Sequence, residues 1–219
     1  MCEELQMLFW RTILQVPKGT PKVMMRAETG SMRMKYRIWK QKVLLVMRIK
    51  TQKGSLANLI FEEQLKMGWS GLVKEVSEIC RKLGLNDVSK KEVVKEELDE
   101  SIIMANYKEM KEEMDKCSKL KDVKDGDFRE VQKYMEWKGV QKGRMAFRIR
   151  ARMTKKVKAN FKNMNRETLK CDNCDEDEDE TQEHVTSCPG WRDELGSLDV
   201  HRMEDAVEFF SRVMRKKEA

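Results

Sequence analysis

The sequence has few chain breakers: its 219 residues include only 3 prolines and 11 glycines, whereas charged residues make up 38% and apolar residues 40%. A composition rich in Lys, Glu, Met and Leu and poor in Pro and Gly favours long amphipathic helices with solvated outer faces. Few strands are expected. We therefore predict a mainly α fold, an irregular helical bundle.

Long apolar runs are also missing. The longest is Val43–Met47, far short of the roughly 20 residues that a membrane helix needs. Met1–Gln15 carries two early glutamates instead of the basic region that opens a secretory signal. We expect a soluble intracellular protein, nuclear or cytoplasmic, with no membrane partner. Met32–Lys50 comes closest to the basic amphipathic helix that binds a membrane surface, and membrane binding is the disfavoured alternative.

Known catalytic motifs are absent from the sequence. It has no phosphate-binding glycine loop, no G-x-S-x-G, no H-E-x-x-H and no paired aspartates in a plausible strand. Only 2 histidines occur, and His201 has no obvious partner. We predict that the chain is not an enzyme and takes no small-molecule substrate.

One compact group combines three of the six cysteines with a histidine: Cys171, Cys174, His184 and Cys188. Its spacing is C-x2-C-x9-H-x3-C, and two cysteines separated by two residues can aim both sulfurs at one point from a tight turn. Residues four apart on a helix share one face, which applies to the histidine and the last cysteine. Thr181 is placed to cap that helix and Pro189 to end it. Four such ligands fill the tetrahedron of a structural Zn²⁺, a C-terminal CCHC zinc module.

Two other interpretations of this group are less favoured: four unrelated residues in an acidic loop, and a catalytic zinc site. A deaminase-type site needs a Glu two residues after a His, and the segment His184-Val-Thr lacks it. Cys2, Cys80 and Cys117 are scattered, which does not resemble a secreted disulfide framework.

Positive charge is concentrated in two blocks. Residues 11–54 hold 12 Lys/Arg against one acidic residue, and residues 141–170 hold 11 against one. Such blocks commonly meet phosphate, because many phosphate contacts release counterions. RNA or DNA is therefore the expected partner, with Met32–Lys50 as a second contact. The primary contacts are predicted in the second block: Arg144, Arg148, Arg150, Arg152, Lys155, Lys156, Lys158 and Lys162.

The alternative for the second block is an ordinary charged helix face. Phe147 and Phe161 lie among its cations and can stack on exposed bases, but we favour core positions for both. The segment Arg144–Met153 alternates apolar and basic residues as a strand does, yet every fourth residue is also apolar, as on a helix. The surrounding composition favours the helix.

An acidic run, Asp175–Glu180, separates the cysteine pair from the histidine. Six adjacent carboxylates repel phosphate, so this loop is not expected to contact nucleic acid. We favour a solvated loop. The alternative is that it folds against the basic stretch 141–170 and competes with a ligand there.

We divide the chain into a basic helical segment (1–54), a helical connector (55–140) and a basic helix with the zinc module and a closing helix (141–219). Helical spacing predicts a helix over Leu72–Leu83 that ends at Gly84. An apolar stripe predicts the closing helix around Met203–Met214. A heptad-like seam predicts the packing face of a further helix: Ile103, Tyr107, Met110, Met114 and Cys117.

Two groups of segments are similar to parts of a known family. The first consists of Leu14-Gln-Val-Pro-Lys-Gly-Thr-Pro21, Arg26-Ala-Glu-Thr-Gly30 and Met34-Lys-Tyr-Arg-Ile38. The second consists of Arg144–Met153, Cys171-x2-Cys174, Glu180-Thr-Gln-Glu-His184 and Cys188-Pro189. In the same order, they resemble the stretch beyond the polymerase core and the closing Arg-rich helix and CCHC zinc knuckle of LINE-type (non-long-terminal-repeat) retrotransposon reverse transcriptases.

The resemblance spans about residues 10 to 215 and implies thumb-like helices plus a knuckle that grip template RNA or target DNA. The acidic loop is longer than the family pattern. The aspartate pair of the polymerase and the endonuclease domain are missing, so the resemblance implies binding without catalysis. Two other functions remain open: a helical protein-interaction module whose zinc only supports folding, and a fragment of a decayed element with no selected function.

Overall fold

A computed structural model describes residues 2–67, 71–87, 93–117, 131–154, 157–158 and 169–218. These residues form helices α1 (Cys2–Leu14), α2 (Lys22–Thr29), α3 (Met34–Thr51), α4 (Leu56–Met67), α5 (Leu72–Leu83), α6 (Lys95–Asp115), α7 (Val140–Arg150), α8 (Gln182–Ser187), α9 (Arg192–Leu195) and α10 (Met203–Lys216). They contain no strand, only an antiparallel bridge between Lys170 and Asp179. The predicted mainly α fold is confirmed. None of the described helices combines the length and the apolar character needed to cross a membrane.

The chain divides into two compact units, and neither is continuous in sequence. The first comprises Met1–Gln6 and Ser31–Glu113, and the second comprises Met7–Gly30 and Met114–Ala219. Helices α3, α4 and α5 belong wholly to the first unit, and α2, α7 and α10 belong wholly to the second. These boundaries do not coincide with the three zones drawn from charge and spacing.

The core of the first unit combines apolar side chains of α3 to α6. Its fully buried members include Val43, Val46, Cys80, Leu98 and Ile102. Helix α5 has the predicted bounds, and Gly84 ends it with φ +71°, a left-handed conformation that glycine adopts without steric cost. The predicted seam on α6 is only partly correct, because Ile103 is 41% exposed whereas its neighbour Ile102 is buried.

Glu109 on α6 is a polar centre of the first unit. Its carboxylate accepts hydrogen bonds from Lys35 Nζ (2.6 Å) and Tyr36 Oη (2.8 Å), and Arg33 Nη1 lies 3.6 Å from it. Burial raises the pKa of this carboxyl, but the two hydrogen bonds and the charges of Arg33 and Lys35 outweigh burial. The pKa of Glu109 therefore lies below its usual value.

Acidification is expected to destabilise the first unit through Glu109. Because the folded-state pKa is lowered, the stabilisation is fully present above the ordinary value of about 4.5 and is lost as the pH falls through the folded value. Urea denaturation between about pH 7 and about pH 3 should show a smaller loss of unfolding free energy in Glu109→Gln than in the wild type. Glu62→Gln, an exposed position of α4, is the control. Equal losses in wild type and Glu109→Gln would contradict this role.

In the second unit, α7 packs against α10 and against the 3-10 turn Lys133–Glu136. The segment Arg144–Met153, in which apolar and basic residues alternate, is helical as far as Arg150, which confirms the helix prediction. The closing helix α10 is also confirmed. Phe147, Phe209 and Phe210 are buried, so Phe147 is a core residue as predicted. Phe161 lies outside the described residues.

Candidate metal centre

The first two cysteines lie in a short hairpin. The Cys171 amide donates to the Glu178 carbonyl (2.9 Å), and the Glu180 amide donates to the Leu169 carbonyl (2.7 Å). The chain therefore reverses direction between these pairs. Cys171 and Cys174 come from one tight turn, as the C-x2-C spacing predicts.

The other two side chains of the group are placed by α8. Thr181 caps this helix as predicted, since its hydroxyl accepts a hydrogen bond from the His184 amide (3.0 Å). His184 and Cys188 are one helical turn apart, and the Cys188 amide donates to the His184 carbonyl (2.7 Å). Pro189 then opens a 3-10 turn, so α8 ends beside the cluster.

The four predicted ligands converge. Their ligand atoms all lie within 4.8 Å of one another. Cys171 Sγ is 3.8 Å from Cys188 Sγ, and Cys174 Sγ is 3.4 Å from His184 Nε2. His184 and Cys188 are buried, and the other two cysteines are half-buried. Three thiols and an imidazole at these separations can hold a metal ion, and the predicted Cys/His cluster is confirmed to that extent.

Two residues that the spacing did not reveal complete the surroundings of the cluster. Glu178 accepts a hydrogen bond from His184 Nδ1 (2.9 Å), which leaves Nε2 as the nitrogen for a metal. The backbone amide of Gly190 donates a hydrogen bond to the Cys188 sulfur. Burial raises the pKa of this thiol to about 12, the neighbouring thiols reinforce the effect and the Gly190 amide opposes it. The charge of a bound metal ion favours the thiolate instead.

Gly190 is also required for steric reasons. A Cβ atom at this position would overlap the Asn173 carbonyl oxygen and stand 2.7 Å from its carbonyl carbon, and Asn173 lies between the first two cysteines. We expect Gly190→Ala to displace that turn at a cost of about 1–3 kcal/mol and to weaken metal retention.

Competition with a chelator measures this effect. Gly19→Ala, in the same unit with open space around the new Cβ, should retain metal as the wild type does. If Gly190→Ala retained metal equally well, the close approach to Asn173 would have no part in forming the site.

Two residues just before the histidine attach the Cys/His module to the rest of the second unit. Glu180 is fully buried, and its carboxylate accepts hydrogen bonds from the Lys158 amide (3.2 Å) and from Lys217 Nζ at the end of α10. Gln182 Nε2 donates to the Ile149 carbonyl of α7 (3.0 Å). The module is therefore held by both helices.

The acidic loop faces solvent on one side and the basic stretch on the other. The side chain of Asp177 is 93% exposed, yet Lys170 Nζ lies 3.4 Å from its Oδ1 and 3.5 Å from Asp179 Oδ1. Just before the loop, Asp172 pairs with Lys158 Nζ at 2.6 Å. The exposure of Asp177 agrees with a solvated loop, and its contact with Lys170 agrees with the part of the alternative that places the loop against the stretch 141–170. Competition with a ligand there stays a prediction.

Two of the predicted nucleic-acid contacts hold the end of α1 instead. Arg144 Nε donates to the Ile13 carbonyl (2.6 Å), and Arg148 Nη2 donates to the Gln15 carbonyl (2.9 Å). Arg148 is 6% exposed, and burial together with the charge of Arg144 lowers its pKa. The prediction of a phosphate contact at Arg148 is wrong, because the fold encloses its guanidinium.

Arg150 forms an ion pair with the carboxylate of Glu28 on α2, which is fully buried. Its Nε lies 3.0 and 3.1 Å from the two carboxylate oxygens, and its Nη2 lies 3.0 Å from Oε1, a forked geometry that favours arginine. Tyr134 also donates its hydroxyl to Glu28. The Arg150 guanidinium lies 5.8 Å from the centre of the Tyr134 ring.

The other predicted contacts are more varied. Arg152 pairs with Glu183 on the surface (2.8 Å), with its side chain 40% exposed. Lys158 is 19% exposed and donates to the Lys170 carbonyl (2.7 Å). Three further predicted contacts lie outside the described residues: Lys155, Lys156 and Lys162.

Comparison with protein-family models, with curated proteins and with solved structures finds no match to this chain. Its function is therefore inferred from its own residues and contacts.

Proposed function

We propose that the C-terminal module holds a structural Zn²⁺ and that the chain binds RNA or DNA without catalysing a reaction. For zinc, the ligand separations carry the proposal. Zn–S bonds of about 2.3 Å and a Zn–N bond of about 2.05 Å at tetrahedral angles put two sulfurs about 3.8 Å apart and a sulfur and a nitrogen about 3.6 Å apart. Two of the six separations in the cluster, 3.8 and 3.4 Å, are close to these values, and all six are within 4.8 Å. Four protein ligands leave no open position for a reacting water, which fits a structural role.

The nucleic-acid proposal is carried by exposed cations that have no acidic partner among the described residues. On α3, within the second predicted contact, Arg37 and Arg48 are exposed, and Lys53 is exposed in the turn that follows. Arg37 and Arg48 are about 16 Å apart along the helix axis, far enough to meet different phosphates. By contrast, three lysines of the same helix are paired with carboxylates: Lys35, Lys40 and Lys42.

The resemblance to LINE-type reverse transcriptases supports the same proposal, since it implies a region that grips nucleic acid while another part of the protein supplies catalysis. On this proposal the Arg-rich helix α7 and the zinc module form a scaffold. The phosphate contacts lie on the unpaired cations of the second predicted contact and of the turn that follows it, Arg37, Arg48 and Lys53.

Equilibrium binding of the full chain to labelled RNA and DNA oligonucleotides at increasing salt tests the proposal. We expect a steep fall in affinity between about 50 and about 200 mM salt, because each phosphate contact releases counterions. Arg37→Glu with Arg48→Glu should weaken binding. It should also reduce the slope of log affinity against log salt concentration by about two, because two phosphate contacts are lost. Lys66→Glu with Lys74→Glu makes the same change in net charge at exposed positions of α4 and α5 and is the control. Binding without salt dependence, or equal losses in both double variants, would contradict the proposal.

A protein-interaction module is the second candidate, and one observation favours it. The outer face of α4 exposes Leu56 (75%), Leu59 (52%) and Ile60 (51%), which follow helical spacing. Apolar side chains clustered on a surface often mark contacts with other proteins. If this candidate is correct, Leu59→Lys with Ile60→Lys abolishes association with a protein partner, whereas the Arg37 and Arg48 variants leave it intact.

A further inference from the structure

A groove of about 310 Å³ lies in the second unit between α10 and the segment that leads into α7. It brings together an aromatic ring, two ammonium groups, two carboxylates and one apolar side chain. These belong to Trp137, Lys138, Lys142, Glu204, Val207 and Glu208. The volume is at the lower end of the range for small-molecule sites, about 300–1,000 Å³, which suits a single nucleotide unit rather than a folded partner.

The two walls of the groove differ in charge. Lys138 and Lys142 are exposed and form no ion pair within the described part of the chain. On the opposite wall, Glu208 is already paired with Arg212 (3.1 Å), and Arg215 lies 3.9 Å from it. The groove therefore presents two unpaired cations against one carboxylate, Glu204, that has no ion pair within the described part of the chain. This excess of positive charge favours an anionic ligand over a cationic one.

The aromatic wall is held in place by the fold. The ring of Trp137 meets that of Tyr134 edge-on at a centroid distance of 6.1 Å, and the Trp137 amide donates to the Tyr134 carbonyl (3.3 Å). Tyr134 is in turn anchored by Glu28, which Arg150 neutralises. Gly143 lets α7 approach this turn closely, since a Cβ there would stand 3.2 Å from the Tyr134 carbonyl oxygen. A ring that is already positioned loses little conformational entropy when a ligand stacks on it.

This inference rests on the proposed nucleic-acid binding. We propose that the groove binds an unpaired base of single-stranded RNA or DNA, with the base stacked on Trp137 and the adjacent phosphates bound by Lys138 and Lys142. Glu204, in the first turn of α10, is placed to accept a hydrogen bond from an exocyclic amino group of the base. Bases in a duplex have their faces covered by neighbouring pairs, so stacking on a protein ring selects single strands. Arg150 then acts as a positioning residue for the stacking ring.

Three probes separate stacking from phosphate binding: a single-stranded DNA oligomer of mixed sequence, an abasic oligomer of the same length, and the corresponding duplex. The wild-type full chain should prefer the oligomer that carries bases to the abasic one. Trp137→Leu should bind the base-carrying oligomer about 5- to 150-fold more weakly, with unchanged affinity for the abasic oligomer and the duplex. Trp137→Phe should retain most of the preference, because it keeps an aromatic face.

The lysines are tested with Lys138→Glu and Lys142→Glu together, which should weaken binding of both single-stranded oligomers. Lys66→Glu with Lys74→Glu again matches the change in net charge and should have a smaller effect. The groove assignment is overturned if the wild type binds the base-carrying and abasic oligomers equally, or if Trp137→Leu keeps the wild-type preference. If binding is still salt-dependent in that case, the proposed nucleic-acid binding stands without the groove. If the wild type binds no oligonucleotide at all, both proposals fail.

Discussion

Cys174→Ser is expected to abolish zinc binding and to unfold the C-terminal module. Structural zinc contributes about 10–16 kcal/mol to folding in isolated zinc-finger peptides, an amount as large as the whole stability of a typical domain, about 5–15 kcal/mol. Once the ligand is lost, the hydrogen bonds of Glu180 and Gln182 to the rest of the second unit remain. We expect them to be too few to keep the hairpin and α8 folded, because Glu178 and Gly190 act through His184 and Cys188. We expect the zinc content to fall from about one ion per chain to near zero, and residues 171–188 to become sensitive to protease.

Nucleic-acid affinity should then fall only indirectly. Glu180 and Gln182 connect the module to α10 and α7, and both connections weaken when the module unfolds. Cys2→Ser, at an exposed position of α1, is the matched control and should retain full zinc. A chelator added to the wild type should reproduce the Cys174→Ser phenotype and leave that variant unchanged. If Cys174→Ser kept one equivalent of zinc, the ligand set would be wrong.

Glu28→Gln is expected to produce the second large effect, a loss of about 3 kcal/mol of unfolding free energy. The carboxylate is fully buried and receives Arg150 and the Tyr134 hydroxyl. Removing one partner of a buried pair costs about 3–5 kcal/mol, because the other charge is left without compensation. Arg150 retains 26% exposure, so water compensates for part of the loss and the lower end of this range applies. Urea denaturation measures the change.

The matched control for this substitution is Glu183→Gln. It breaks the Arg152–Glu183 pair, whose side chains are 40% and 60% exposed, and pairs of this kind contribute about 0–1 kcal/mol. Both substitutions remove one carboxylate from an arginine of the same basic segment. Equal losses for Glu28→Gln and Glu183→Gln would show that burial of Glu28 has no energetic importance. Glu28→Gln should in addition reduce the preference for oligomers that carry bases, because it releases Tyr134 beside Trp137.

The helices and the Cys/His cluster were the most predictable features of this chain. Helix α5 has the predicted bounds because the signals that define it are local: the apolar residues lie within the helix, and Gly84 follows its last residue. The Cys/His cluster was predictable for the same reason, since a hairpin and a six-residue helix, α8, bring together four residues that are close in sequence. Thr181 capped that helix as predicted because a helix cap depends only on the next few residues.

The boundaries of the two units could not be predicted from charge or spacing. Each unit combines segments from distant parts of the sequence, and no composition change marks where the chain enters one or leaves it. The role of Gly190 was hidden in the same way. Its constraint comes from the Asn173 carbonyl, and only the folded hairpin brings that carbonyl next to it.

The arginines of α7 show which features the local sequence determines and which depend on the tertiary structure. Their spacing and charge were sufficient to predict a basic helix, because helix formation depends on neighbouring residues. Their partners were not predictable, since Glu28 lies 122 residues from Arg150 and the carbonyls that bind Arg144 and Arg148 belong to the end of α1. A positive charge can pair either with a phosphate in solution or with a buried carboxylate. Whether such a residue is a binding group or a structural one depends on which acceptors the fold brings to it and how much water it excludes.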